Sequence, residues 1–93
     1  MRVRGASMEP TVQSGDVLLV RAGAVPKVGD LVVVRLPERP GLAVKRAVRQ
    51  EPGGWWVERD NPREGVDSWS VGAIPDGDVV ARVERRLWPI RRA

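Results

Sequence analysis

The sequence predicts a small all-β domain, and three features of the chain indicate this class. Its 93 residues suffice for one domain, residues 1–93, and a chain of this size buries only about 60–70% of its unfolded surface. Valine, leucine and alanine dominate the apolar residues, with no Phe or Tyr, and β-branched valine favours strands. Turn-forming Gly, Pro, Asp and Asn recur at short intervals, while no segment keeps a 3.6-residue apolar period. Short strands separated by turns are therefore expected.

Five strands are expected between the turn signals. They run from Val17 to Arg21, Leu31 to Leu36, Leu42 to Gln50, Trp55 to Arg59 and Val79 to Leu87. Trp55 and Trp56 would point to opposite faces, one in the core and one at its rim. One helical turn is expected near Met8 to Val12 and another after Gly72. The predicted architecture is a coiled antiparallel sheet or barrel with one short helical turn at Ser7.

The chain contains no His and no Cys, which restricts the chemistry it can perform. Ser-His-Asp and Cys-His hydrolases and His/Cys metal sites are excluded, and no metal or other cofactor is predicted. A serine nucleophile needs an adjacent base, for which only lysines and carboxylates remain. A hydrolase with Asp60 and Asp67 as paired carboxylates is an alternative, although an aspartate beside Asn-Pro is more often a turn former.

The net charge of +4 comes largely from a basic tail, Arg82 to Arg92. Such a tail can contact nucleic acid, anionic lipid or an acidic partner, but a solvated, frayed terminus is the favoured interpretation. Trp88 is the only aromatic residue among these arginines, so no nucleic-acid partner is expected.

The aliphatic runs at 17–20 and 31–34 are far shorter than the ~18–20 residues of a membrane span, and no signal-peptide pattern opens the chain. A soluble, cytoplasmic protein is expected, with its oligomeric state left open.

Ser7 and Lys45 are the candidate nucleophile and base. Residues 5–11 read Gly-Ala-Ser-Met-Glu-Pro-Thr; the glycine lets a substrate backbone approach, the proline stiffens the turn, and exposed backbone N–H groups can hold an oxyanion. Strand alternation places Lys45 on the face of Ala43 and Ala47, with space above it and no carboxylate nearby. Burial there would lower the pKa of the amine from near 10.4. A surface lysine is the alternative interpretation.

These motifs resemble, in order and along nearly the whole chain, those of the type I signal peptidases and their Ser/Lys-dyad relatives. The matching pieces are Ser-Met-Glu-Pro-Thr at 7–11, Gly-Asp-Val-Leu at 15–18, Gly-Asp at 29–30, Lys-Arg at 45–46, Asp-Asn at 60–61, Asp-Ser at 67–68 and Val-Gly at 71–72. Within that family, segments 33–37, 43–48 and 54–58 are most similar to the maturation proteases of nickel-type superoxide dismutase. The resemblance implies the signal-peptidase fold and a serine endopeptidase that removes an N-terminal leader from a precursor protein.

The resemblance also implies roles for individual residues. Ser7 would be the nucleophile, Lys45 the general base, and the Ser7 amide an oxyanion donor. The substrate would add as an extended strand between Val3–Gly5 and Leu42–Val44. Met8 would line the cleft beside the nucleophile or merely anchor the turn. The supporting residues would be Asp60, Asn61, Asp67 and Ser68.

Three positions depart from the family pattern. Arg59 stands where relatives usually have glycine, Gly65 where a serine commonly steadies the lysine, and Trp69 where an arginine would pair with Asp67. Gly65 therefore removes one support of the base, while Arg63 or another arginine can substitute as the partner of Asp67. Trp69 would either pack in the core or contact substrate.

Two other functions stay open beside cleavage of a separate precursor. Gly65 and Trp69 favour a module that binds a leader without cutting it. A self-cleaving domain of the phage-repressor type would use the same Ser/Lys pair, but no linker or DNA-binding domain precedes Ser7. A membrane anchor upstream of this sequence is also left open.

Overall fold

The structure, a computed structural model that describes residues 1–89, consists mainly of one open six-stranded sheet. The strands are β1 (Val17–Ala22), β2 (Leu31–Val34), β3 (Ala43–Glu51), β4 (Gly54–Glu58), β5 (Ile74–Pro75) and β6 (Val79–Trp88). They lie in the order β1-β6-β2-β3-β4-β5, and every neighbouring pair is antiparallel. The all-β class is confirmed, and the sheet keeps two edges, β1 and β5, instead of closing as a barrel.

The five predicted strands occur within one or two residues of their expected ends. Strand β2 stops at Val34, two residues early, because its pairing with β3 ends at Val34 and Ala43. On the β6 side one further bond follows, from the Arg35 backbone N–H to Asp78 O at 2.8 Å. Strand β5 was not predicted, since two residues are too short to show an alternating pattern. As expected, Trp55 is buried and Trp56 is only half-buried.

Both predicted helical turns occur, and the structure adds one short helix between them. Helix α1 spans Ser68–Val71, and Gly72 ends it at a φ of 81°, so the helix lies before this glycine. Asp67 caps its N-terminus by accepting the backbone N–H two residues further on. A 3₁₀ turn at Asp76–Asp78 does follow Gly72. Near Ser7, a hydrogen bond of 2.9 Å from Val12 N to Met8 O closes a single turn, and no helix continues from it.

Two apolar clusters lie on opposite faces of the sheet, and strand β2 contributes to both because its side chains alternate. The first contains Val3, Met8, Val12, Leu18, Val33, Val44 and Ala81. The second contains Val32, Val34, Leu36, Ala47, Trp55, Val57 and Ile74. Packing of Val3 and Met8 in the first cluster attaches the segment that carries Ser7 to the sheet.

The predicted basic tail is ordered over most of its length as strand β6, which lies between β1 and β2. Two of its arginines lie near carboxylates: Arg82 Nη2 is 2.9 Å from Glu84 Oε1, and Arg86 Nη1 is 3.6 Å from Asp16 Oδ2. The expectation of a frayed terminus is therefore wrong for this part, because neighbouring valines pair and pack the strand. Arg91 and Arg92 lie outside the described residues. Within residues 1–89, no helix has the length and hydropathy needed to cross a membrane.

Candidate active site

The loop before β1 and strand β3 bring Ser7 and Lys45 into contact. The distance from Lys45 Nζ to Ser7 Oγ is 2.9 Å, which lies in the range required for proton transfer between a nucleophile and its base. Lys45 is only 2% exposed, whereas Ser7 is partly exposed. The hydroxyl can thus be reached from solvent while the amine behind it is withdrawn from water.

The environment of Lys45 lowers the pKa of its amine. Burial is the largest cause, because the charged form loses its hydration. The nearby carboxylate of Asp67 raises the pKa, and the guanidinium groups of Arg59 and Arg39 lower it. The expectation that no carboxylate lies near Lys45 is therefore wrong, because Asp67 approaches from the start of helix α1 and not from β3.

A small cavity of about 60 Å³ opens beside Ser7. The residues predicted to contact substrate line it together: Val3, Gly5, Ser7, Met8 and Val44. Met8 and Val3 also belong to the first apolar cluster. Met8 therefore both anchors the turn and forms a wall of the cavity.

Strand β3 has an open edge next to this cavity. Strand β4 pairs with it only from Arg46 to Glu51, so within the described residues Ala43–Lys45 have β2 on one side and no strand on the other. An unpaired strand edge offers backbone donors and acceptors to an extended chain.

The backbone around Ser7 is held from one side and open on the other. Asn61 Nδ2 donates to Ala6 O at 2.8 Å, and the Asn61 backbone N–H donates to Ser7 O at 2.8 Å. In contrast, the Ser7 backbone N–H donates to no acceptor within residues 1–89. This N–H is therefore available to stabilise a negatively charged oxygen at the reacting carbon.

Asp60 connects the Ser7 loop to strand β3. Its carboxylate accepts from Thr11 Oγ1 at 2.7 Å and from Arg46 Nη2 at 2.6 Å, and Arg46 Nη1 also donates to Gly29 O at 2.8 Å. Burial by itself would raise the pKa of Asp60, but the hydrogen bonds from Arg46 and Thr11 outweigh it and lower the pKa. Asp60 thus supports the loop, and its hydrogen-bond partners differ from those of Asp67.

Asp67 is 4% exposed and has Arg59 as its basic partner. Asp67 Oδ2 accepts the Arg59 backbone N–H at 3.1 Å and lies 3.8 Å from Arg59 Nε. Arg63, the substitute named from the sequence, instead donates its backbone N–H to Asn61 Oδ1 at 3.0 Å. Arg59 takes the position because it directly follows β4, which packs beside helix α1.

Gly65 lies directly against the Ser7–Lys45 pair. Its φ is +88°, and a Cβ placed there would lie 2.5 Å from Ser7 Cβ and 3.4 Å from Lys45 Nζ. The sequence suggests a missing supporting hydroxyl at this position. In the structure, a side chain fits there only if the loop or Ser7 moves.

Trp69 and Ser68 sit on opposite sides of helix α1. Ser68 is 1% exposed and accepts the Val57 backbone N–H at 2.9 Å, which ties the helix to β4. Trp69 is 73% exposed, so the core interpretation is wrong. Its indole meets that of Trp56 edge to face at 5.1 Å, and both indole N–H groups donate to Glu58 Oε2.

Within residues 1–89, no three acidic side chains form a group that could hold a metal ion.

The chain is similar to proteins of a known peptidase family. Residues 1–83 match the family described as Peptidase S24-like. Mitochondrial inner membrane protease subunit 1 of Xenopus tropicalis is 30% identical over 112 residues, covering 92% of this chain and 66% of that protein. Subunit 2 from Schizosaccharomyces pombe is 31% identical over 117 residues, covering 98% of this chain and 65% of that protein. The chain thus spans about two thirds of the length of these curated relatives.

Proposed function

Since the chain belongs to the Peptidase S24-like family, we propose that it is a serine endopeptidase whose catalytic pair is Ser7 and Lys45. The observation that carries the proposal is the 2.9 Å contact between Lys45 Nζ and Ser7 Oγ. Neutral Lys45 accepts the hydroxyl proton as Ser7 Oγ attacks the scissile carbonyl carbon. The C–N bond of the substrate then breaks, its nitrogen leaves with that proton, and an acyl-enzyme remains. Lys45 next takes a proton from water, the resulting hydroxide attacks the acyl carbon, and the proton passes to Ser7 Oγ as the ester bond breaks.

A lowered pKa makes Lys45 usable as a base, because only the neutral amine can accept a proton. Activity should therefore rise with pH as Lys45 loses its proton in the free enzyme. A cleavage rate that stays flat from pH 6 to 9 would contradict this role.

The substrate binds as an extended chain along the open edge of Ala43–Lys45, opposite Val3–Gly5. This places the scissile carbonyl oxygen near the free N–H of Ser7, which serves as an oxyanion donor. The small cavity beside Ser7 admits a small side chain of the substrate. An N-terminal leader, which is extended and accessible, fits these requirements.

The specific reaction that we propose for this peptidase is the removal of a leader from a precursor protein in the cytoplasm. Motif similarity makes the precursor of a nickel-type superoxide dismutase the first specific candidate. The relatives found by comparison are instead named for the mitochondrial inner membrane and do not support that choice, so the test needs more than one substrate.

The experiment compares cleavage of that precursor and of a leader-peptide library by wild type, Ser7→Ala and Lys45→Met. We expect both variants to lose cleavage, and the wild type to form an acyl-enzyme detectable by mass spectrometry. Ser70→Ala and Lys27→Met are matched controls, because both residues are exposed. Cleavage that persists in both dyad variants would exclude the proposal. Leader binding without an acyl-enzyme would identify a binding module, and loss of mass by the chain alone at alkaline pH would identify self-cleavage.

A further inference from the structure

Arg59 connects both ends of the short segment that covers Lys45. Its Nη1 donates to Gly65 O, its Nε lies 3.8 Å from Asp67 Oδ2, and its backbone N–H donates to the same oxygen at 3.1 Å. One residue at the end of β4 therefore holds residues 65 and 67 together. The Arg59 side chain is about one third exposed, which places this bridge at the edge of the site.

The position of Gly65 matters because it lies so close to the reacting side chains that a Cβ does not fit. A Cβ at this residue would lie 3.5 Å from Ser7 Oγ and closer still to Ser7 Cβ. Movement of Gly65 away from the pair would admit water to Lys45, and movement toward the pair would displace Ser7. The bond from Arg59 to the Gly65 carbonyl opposes both movements.

We propose that Arg59 is a positioning residue for the Ser7–Lys45 pair: it holds Gly65 against the two side chains and pairs with the carboxylate of Asp67 beside Lys45. Its effect on catalysis rests on the proposed function. Its effect on Lys45 does not, because the charges act on the amine whether or not peptide cleavage follows.

Three charged groups act on Lys45, and they come from different elements. Asp67, at the start of α1, raises the pKa of the amine, while Arg59 after β4 and Arg39 before β3 lower it. Arg59 differs from Arg39 because it also contacts Asp67 and Gly65. Removal of Arg59 leaves the carboxylate of Asp67 uncompensated, so the pKa of Lys45 must rise and less neutral amine is present at neutral pH.

The first test is the pH profile of cleavage by Arg59→Gln. We expect the midpoint of the rise in activity to move up by about one pH unit, which corresponds to roughly a ten-fold loss of rate below the midpoint, with much of the loss recovered at alkaline pH. Arg59→Lys keeps the charge but loses the paired contacts, so its midpoint should stay near that of wild type while its rate falls. Arg63→Gln, which removes an exposed arginine of the same loop, should match wild type.

The second test measures Lys45 without relying on activity. The chain has only two lysines, Lys27 and Lys45, so NMR of protein labelled with ¹³C-lysine resolves both titrations, and exposed Lys27 serves as an internal reference. In Arg59→Gln the midpoint of Lys45 should rise while that of Lys27 stays unchanged. If the Lys45 midpoint rises in Arg59→Gln but the wild-type protein cleaves none of the substrates, the role of Arg59 is supported and the proposed function is rejected. An unchanged Lys45 midpoint in folded Arg59→Gln overturns the inference.

Discussion

At the scale of single residues, the site combines one buried amine with one glycine that has no room for a side chain. Lys45 is 2% exposed, and burial of its charged form is unfavourable, yet the same burial lowers its pKa toward the range where a base is useful. Gly65 reaches the pair because a φ of +88° is readily adopted by glycine alone. The role of each residue therefore depends on the atoms around it as well as on its own chemistry: burial lowers the pKa of Lys45, and nearby atoms leave no room for a side chain at position 65.

Gly65→Ser introduces the hydroxyl that the resemblance to signal peptidases leads one to expect here, and we expect the change to impair this protein. The added Cβ would lie 2.5 Å from Ser7 Cβ, and the positive φ is unfavourable for serine. The free energy of unfolding should fall by about 1–3 kcal/mol, and cleavage should slow, as measured by urea denaturation and peptide hydrolysis. Gly77→Ser is the control, because Gly77 has open space and no positive φ. Faster cleavage by Gly65→Ser would show that the loop rearranges to use the hydroxyl.

At the scale of elements, loops hold the site and strands give the loops their fixed ends. The Ser7 loop ends at β1, and the segment 60–67 runs from β4 to α1. Asn61 bonds the backbone on both sides of the nucleophile, while Asp60 joins the Ser7 loop to β3 through Arg46. Two loops from distant parts of the chain are therefore attached to one strand.

Asp60→Asn tests this attachment through its pH dependence. The folded chain lowers the pKa of Asp60, so it binds fewer protons than the unfolded chain near that pKa. The carboxylate therefore stabilises the fold above the unfolded pKa of about 3.9, and this stability is lost as pH falls through the folded pKa. We expect Asp60→Asn to be less stable than wild type at pH 7, with a difference that shrinks toward pH 3 in urea denaturation. Glu64→Gln, which removes an exposed carboxylate of the same loop, is the control for the change of charge, and a pH-independent difference for Asp60→Asn would contradict the assignment.

At the scale of the whole molecule, strand β2 couples the two apolar clusters. Val33 packs in the first and Val32 in the second, and β2 also pairs with both β3 and β6. If the packing of one cluster is lost, strand β2 loses support on that face, and the other cluster, which packs against the opposite face of β2, is weakened as well. The chain should unfold as one cooperative unit.

Val32→Ala and Val33→Ala should each lower the free energy of unfolding by about 1.5–3 kcal/mol, from lost burial and the cavity left behind. In both variants, tryptophan fluorescence and far-UV circular dichroism should give one coincident transition in urea. Val25→Ala is the control, because Val25 is 78% exposed and its truncation should change stability little. Separate transitions by the two probes would show that the clusters unfold independently.

The sequence by itself determined the local features. It indicated five of the six strands, because alternation and turn residues act over a few positions, and the motif at Ser7, because residues 5–11 are contiguous. It also left Lys45 as a candidate base through the absence of His and Cys. Only the tertiary structure decided that Asp67 lies near Lys45 and that Arg59 is the partner of Asp67. It also decided that Gly65 lies against the side chains of Ser7 and Lys45. These contacts depend on how two loops close against β3. The positions of these loops depend on packing between residues far apart in the chain, and such contacts cannot be predicted from a local sequence pattern.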